Sequence, residues 1–132
     1  MKLSKITEST FKYDDAEFTI KNLLSGDILD IQDKAVATTI EIIDVNGEMV
    51  PSRTIKPSSM IERFMVIQKS ITGWKNINSA AGKELICDSL GKKTFCENLP
   101  EDVFNDFYKA LSEERKKLSE IVKKQSEKAV KN

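Results

Sequence analysis

An α+β domain is expected, with N-terminal β-hairpins packed against two or three helices and a long helix closing the chain. Three observations predict it. Residues 10–20 alternate apolar and polar around Asp14-Asp15. A β-branched run ends at Asn46-Gly47, a dipeptide suited to the positive φ angles of a type I′ hairpin. From Glu101 to Asn132 no glycine or proline interrupts a stripe of apolar residues at helical spacing.

Thr10-Phe11-Lys12-Tyr13 and Glu17-Phe18-Thr19-Ile20 form the first hairpin, with Asp14-Asp15 and Ala16 as its turn. Ser25-Gly26-Asp27 opens a short helix, followed at helical spacing by Ile28, Ile31 and Ala35. Thr38 to Val45 reads as a strand because of the Asn46-Gly47 turn, although a helix over residues 36–43 is the rival reading. Its return strand is Glu48-Met49-Val50, which Pro51 cuts short or places at an edge.

Ser59 and Glu62 have the spacing of a capping box. Ile61, Phe64, Met65, Gln68 and Ile71 then share one helical face, and Thr72-Gly73 ends that helix. Residues 74–86 carry the turn signals Asn78-Ser79 and Gly82-Lys83 around a short strand or loop. Leu85-Ile86-Cys87 and Leu90 are expected core contacts, and Gly91-Lys92-Lys93 a turn. Pro100 suits the first turn of the last helix, and Glu101 and Asp102 favour the positive end of its dipole. Val103, Phe107, Leu111, Leu118 and Val122 make its stripe, with Phe104, Tyr108 and Ile121 beside it.

The 132 residues fit one domain, since domains commonly run about 100–150 residues. We divide the chain into a single α+β domain over residues 1–112 and a charged helical extension over 113–132. Past residue 112 there are seven basic and four acidic side chains, so the extension carries +3. The whole chain balances 21 basic against 21 acidic residues, which leaves −3 for the body. That global balance offers no net basic face for nucleic acid. No run approaches the roughly 18 apolar residues of a membrane span, and the start lacks the apolar run of a signal peptide. A soluble intracellular protein is expected, with Cys87 and Cys96 as free thiols.

The chain has no histidine, which removes Ser-His-Asp and Cys-His catalysis and most zinc sites. Asp27, Asp30 and Asp33 approximate one helical face but lack the glycine and distal glutamate of a calcium loop. The five glycines are isolated, so no phosphate-cradling loop is visible. Lys92-Lys93, Lys116-Lys117 and Lys123-Lys124 lack interleaved aromatics. Trp74, flanked by Ile71 and Ile77, reads as a core anchor. No catalytic residue, metal or cofactor is expected.

Between Ser59 and Leu111 an apolar helix runs into Ile71-Thr72-Gly73-Trp74-Lys75-Asn76-Ile77. Gly82-Lys83-Glu84 follows, then a polar stretch and the helix opening Leu99-Pro100-Glu101-Asp102-Val103. That order of short motifs, under half the chain, resembles the tail assembly chaperones of long-tailed bacteriophages and prophages. Phe18-Thr19-Ile20-Lys21-Asn22-Leu23 is similar to the strand that opens many small phage tail proteins. The resemblance implies a non-catalytic protein of the bacterial host cytoplasm that binds a tape-measure or tail-tube protein during tail assembly. Its alternative is a structural virion or adaptor protein that oligomerises in the tail through the sheet edge. For the first reading, the expected partner-binding face is Phe104, Phe107, Tyr108 and Leu111, continued by Leu118, Ile121 and Val122.

Overall fold

The computed structural model describes residues 1, 3 and 5–131, with side chains as far as Gln125. Its element order is β1 (Glu8–Tyr13), β2 (Ala16–Lys21), α1 (Ser25–Lys34), β3 (Val36–Val45) and β4 (Glu48–Pro57). Then come α2 (Ser59–Ser70), β5 (Ile71–Lys75), α3 (Ser89–Glu97) and α4 (Glu101–Lys131). This is the expected α+β fold, in two separate sheets.

The first sheet is antiparallel in the order β1-β2-β5. Strand alternation sends Ala16, Phe18 and Ile20 inward and Glu17, Thr19 and Lys21 outward. Their cross-strand partners Tyr13, Phe11 and Trp74 share the inner face. Phe107 of α4 lies across it, 4.9 Å between ring centroids from Phe18 and 5.3 Å from Tyr13. Phe95 of α3 closes the cluster at 5.6 Å from both Phe18 and Trp74. Trp74 is the core anchor expected of it, and its indole N–H donates to the Leu85 carbonyl at 2.8 Å. The indole's polar handle is thus satisfied where its body is desolvated.

Helix α2 ends at Ser70, just before the expected Thr72-Gly73 end, and helix α3 replaces the turn expected at Gly91-Lys92-Lys93. Ile71 follows α2 directly and pairs with Ile20, so Thr72-Gly73 lies in a strand. Gly91 lies in the first turn of α3, whose N-cap Asp88 accepts the Gly91 N–H at 2.7 Å. A Cβ at Gly91 would overlap the Ile86 carbonyl oxygen, so the glycine serves close approach rather than a turn. Ile86 and Leu90, expected in the core, are exposed.

Helix α2 is capped by Ser58, whose hydroxyl accepts the Ile61 N–H, one residue before the expected Ser59 box. It packs on two sides, so its buried set is wider than one stripe. Phe64, Ile67 and Ile71 join the main core, while Val66, with Met65 beside it, meets Ile31 and Ala35 of the α1 region.

Strands β3 and β4 form the second sheet alone, ten residues each. Asn46 and Gly47 both have positive φ, as a type I′ turn requires, and the Asp44 carboxylate accepts the Gly47 N–H at 2.9 Å. The rival helix at 36–43 is not formed. β4 continues seven residues beyond the expected Val50, through Pro51 to Pro57. Ladder parity explains this. Outward from a two-residue turn, Val45–Glu48 is a hydrogen-bonded pair, and every second pair after it is not. Pro51 pairs with Ile42 and Pro57 with Val36, both in the non-bonded set, where a strand's N–H points away from its partner. Neither proline therefore removes a ladder bond.

Candidate functional site

The expected face on α4 divides between core and surface. Phe104, Phe107, Leu111 and Leu118 are buried among the chain's own side chains, within one cluster that includes Phe18, Ile20 and Ile67. These four are corrected from partner contacts to core residues. Helical spacing identifies an apolar stripe, and α4 spends this one on the β1-β2-β5 sheet and α2. Tyr108 is half-buried, with the Arg63 guanidinium 5.3 Å from its ring centre. Ile121 is 46% exposed, and Val122 packs at the rim of the core. Since Leu118 belongs to the main cluster, residue 112 marks no break in packing: the body reaches at least Val122.

The far end of that stripe opens into a groove. A cavity of ≈ 580 Å³ lies between the end of β2, the start of α1 and α4. Leu23, Leu24 and Ile28 form one wall, and Leu118 and Val122 the other. Its two charged lining residues among those described, Lys21 and Arg115, are both cationic.

Local hydrogen bonds fix the first wall. The Asn22 carboxamide accepts the Thr7 N–H at 2.7 Å and donates to the Lys5 carbonyl at 3.3 Å. Asp27 accepts the Leu24 N–H at 3.0 Å, which holds the turn into α1. Sequence reasoning placed Leu118 and Val122 near a binding surface but missed Leu23, Leu24 and Ile28. The apolar pair just before the Ser25 helix start was the available signal.

Candidate chemical groups elsewhere are already engaged. Asp30 accepts from Lys69 at 2.8 Å and Lys34 at 2.9 Å, and those bonds hold its carboxyl below the usual range. Among the described residues, no three His, Cys, Asp or Glu side chains converge as a metal site. Burial pushes the Cys96 thiol up to about 12 and raises Cys87 as well, so neither favours the thiolate needed for nucleophilic attack. The Tyr13 hydroxyl donates to Asp106 at 2.7 Å. That bond, with desolvation second, pushes its pKa up to about 12.

A second exposed surface is the β3–β4 hairpin. Neither strand packs extensively against any other described element. Ile40 is 63% exposed, and Ile42, Met49 and Ile55 are each 68% exposed. No described helix is long and apolar enough to cross a membrane. No family model, curated protein or solved structure matches the chain.

Proposed function

We propose that this chain is a non-catalytic assembly factor of long-tailed phage or prophage tails. It holds a helical segment of a tape-measure or tail-tube protein while the tail is built in the bacterial host cytoplasm. The observation that carries the reading is the groove beside α4, apolar on both walls and flanked by Lys21 and Arg115. An amphipathic helix presents an apolar stripe at i, i+3, i+4 and i+7, which such a groove accepts. Acidic residues beside that stripe would meet the two cations. The motif order from Ser59 to Leu111 supports the phage setting, and the absence of histidine supports a binding role over a catalytic one.

The test is co-expression with a tape-measure fragment. Capture by the unaltered chain and its loss in Leu24→Asp with Ile28→Asp are expected, because both side chains line the groove and belong to neither buried core cluster. Undiminished capture by that variant, with an unchanged melting profile, would remove the groove from the proposal. The exposed hairpin favours a second reading, a structural component that oligomerises in the tail. Mass spectrometry of purified particles separates the two, since an assembly factor is absent from finished tails and a structural component is present.

A further inference from the structure

Cross-strand partners share a face, so the β3–β4 ladder sorts the hairpin's side chains into two sets. One face carries Ile40, Ile42, Met49 and Ile55, the four strongly exposed aliphatic side chains of the hairpin, together with Pro51 and Arg53. The opposite face carries Glu41, Glu48, Thr39, Thr54 and Lys56, and is apolar only near the tip at Ile43, Val45 and Val50. A solvated hairpin would not place all four of its most exposed aliphatics on one face. We propose that this face is a self-association surface, and that its occupant is the same face of a second copy of the chain.

Edge chemistry and charge favour that occupant, and area fits a weak pairing. Ten residues at about 3.3 Å and two strands about 4.8 Å apart give a face roughly 33 by 10 Å, on the order of 300 Å². Two such faces bury roughly 650 Å², the size of a weak, transient contact. Face packing is also favoured over extension of the sheet at β4. Pro51 and Pro57 stand where that strand's N–H groups would point outward, so its free edge lacks two donors a new strand would need.

Charge matches a two-fold arrangement. With two hairpins antiparallel, face to face, and centred on the Ile42–Pro51 level, the Arg53 level of one copy meets the Asp44 level of the other, and Arg53 stacks on Met49 and reaches Asp44 diagonally. Ile40 and Met49 come to the same level. The chain's zero net charge puts no long-range repulsion between copies. This surface lies apart from the groove lining, so the inference goes beyond the proposed function and does not depend on it.

Sedimentation equilibrium of the full chain from micromolar to millimolar concentration tests the proposal. A monomer–dimer equilibrium is expected, weakened roughly tenfold or more by Ile40→Thr with Ile42→Thr. Threonine keeps the β-branched shape, so the ladder survives while the face turns polar. Far-UV circular dichroism verifies that survival. Arg53→Glu should weaken pairing too. Glu41→Ala, on the opposite face of the hairpin, should leave pairing intact. A wild-type chain monomeric throughout overturns the proposal, whether or not the hairpin then binds a different protein. So does an Ile40→Thr/Ile42→Thr variant that pairs as tightly as wild type, or loss of pairing in Glu41→Ala.

Discussion

The two sheets use similar apolar side chains in opposite ways. Around β2, the aromatic rings of Phe18, Trp74, Phe95 and Phe107 meet tilted or edge to face at 4.9–6.4 Å between centroids, inside the main buried cluster. On the β3–β4 hairpin, which packs extensively against no described helix, Ile40, Ile42 and Ile55 remain open. Residues buried in the body stabilise the fold. Residues left uncovered on an arm add little to stability, and their apolar character is better explained by contact with another molecule.

The sharpest challenge to that division compares one residue from each region. Phe107→Ala should cost about 3–5 kcal/mol, through lost burial and the cavity left under the sheet. Ile42→Thr, measured in dilute monomer by urea titration, should cost no more than about 0.5 kcal/mol. Comparable losses at the two positions would mean that the hairpin belongs to the cooperative body. Next in size is Gly91→Ala, expected to destabilise by about 1–3 kcal/mol because its methyl group meets the Ile86 backbone rather than a flexible side chain. A neutral result there would show that α3 can shift, and that its packing is looser than the rest of the core.

The smallest effect concerns pH. Tyr13 has a raised folded-state pKa, so its contribution is complete below the unfolded value near 10 and is lost as pH rises towards about 12. Tyr13→Phe should therefore flatten the fall in melting temperature across that alkaline window, and the unaltered chain should show the steeper fall. Equal slopes would mean that the Asp106 bond contributes nothing in solution.

Turn chemistry made much of this architecture legible. Asp14-Asp15 and Asn46-Gly47 located both hairpins, since few dipeptides tolerate those backbone angles, and Pro100 located the start of α4. What stayed hidden depended on partners distant in sequence. Thr72-Gly73 reads locally as a stop, yet pairing with β2 makes a strand of it. Gly91 reads as a turn until the Ile86 carbonyl beside it is known, although Asp88-Ser89 offered an N-cap signal. Pro51 reads as a strand terminator unless the ladder's parity is counted back from Gly47. The same limit governed the candidate site. Periodicity revealed the stripe from Val103 to Val122, but not that the β1-β2-β5 sheet and α2 cover most of it. A further set of uncovered aliphatics lies on the hairpin, whose alternate residues Ile40 and Ile42 could have been read as one face.

The division between body and arm is tested most directly by removing the arm. Ala37 and Lys56 are a hydrogen-bonded cross-strand pair, so an Asn-Gly pair in place of residues 38–55 can rejoin them without disturbing the Ser58 N–H bond to the Ala35 carbonyl. The shortened chain should unfold cooperatively in a thermal scan, with a midpoint within about 4–8 °C of the full chain, the shift that 1 kcal/mol produces in a domain of roughly this size. It should also remain monomeric at concentrations where the full chain pairs. A shortened chain that loses its cooperative transition, or that still self-associates, would contradict the account.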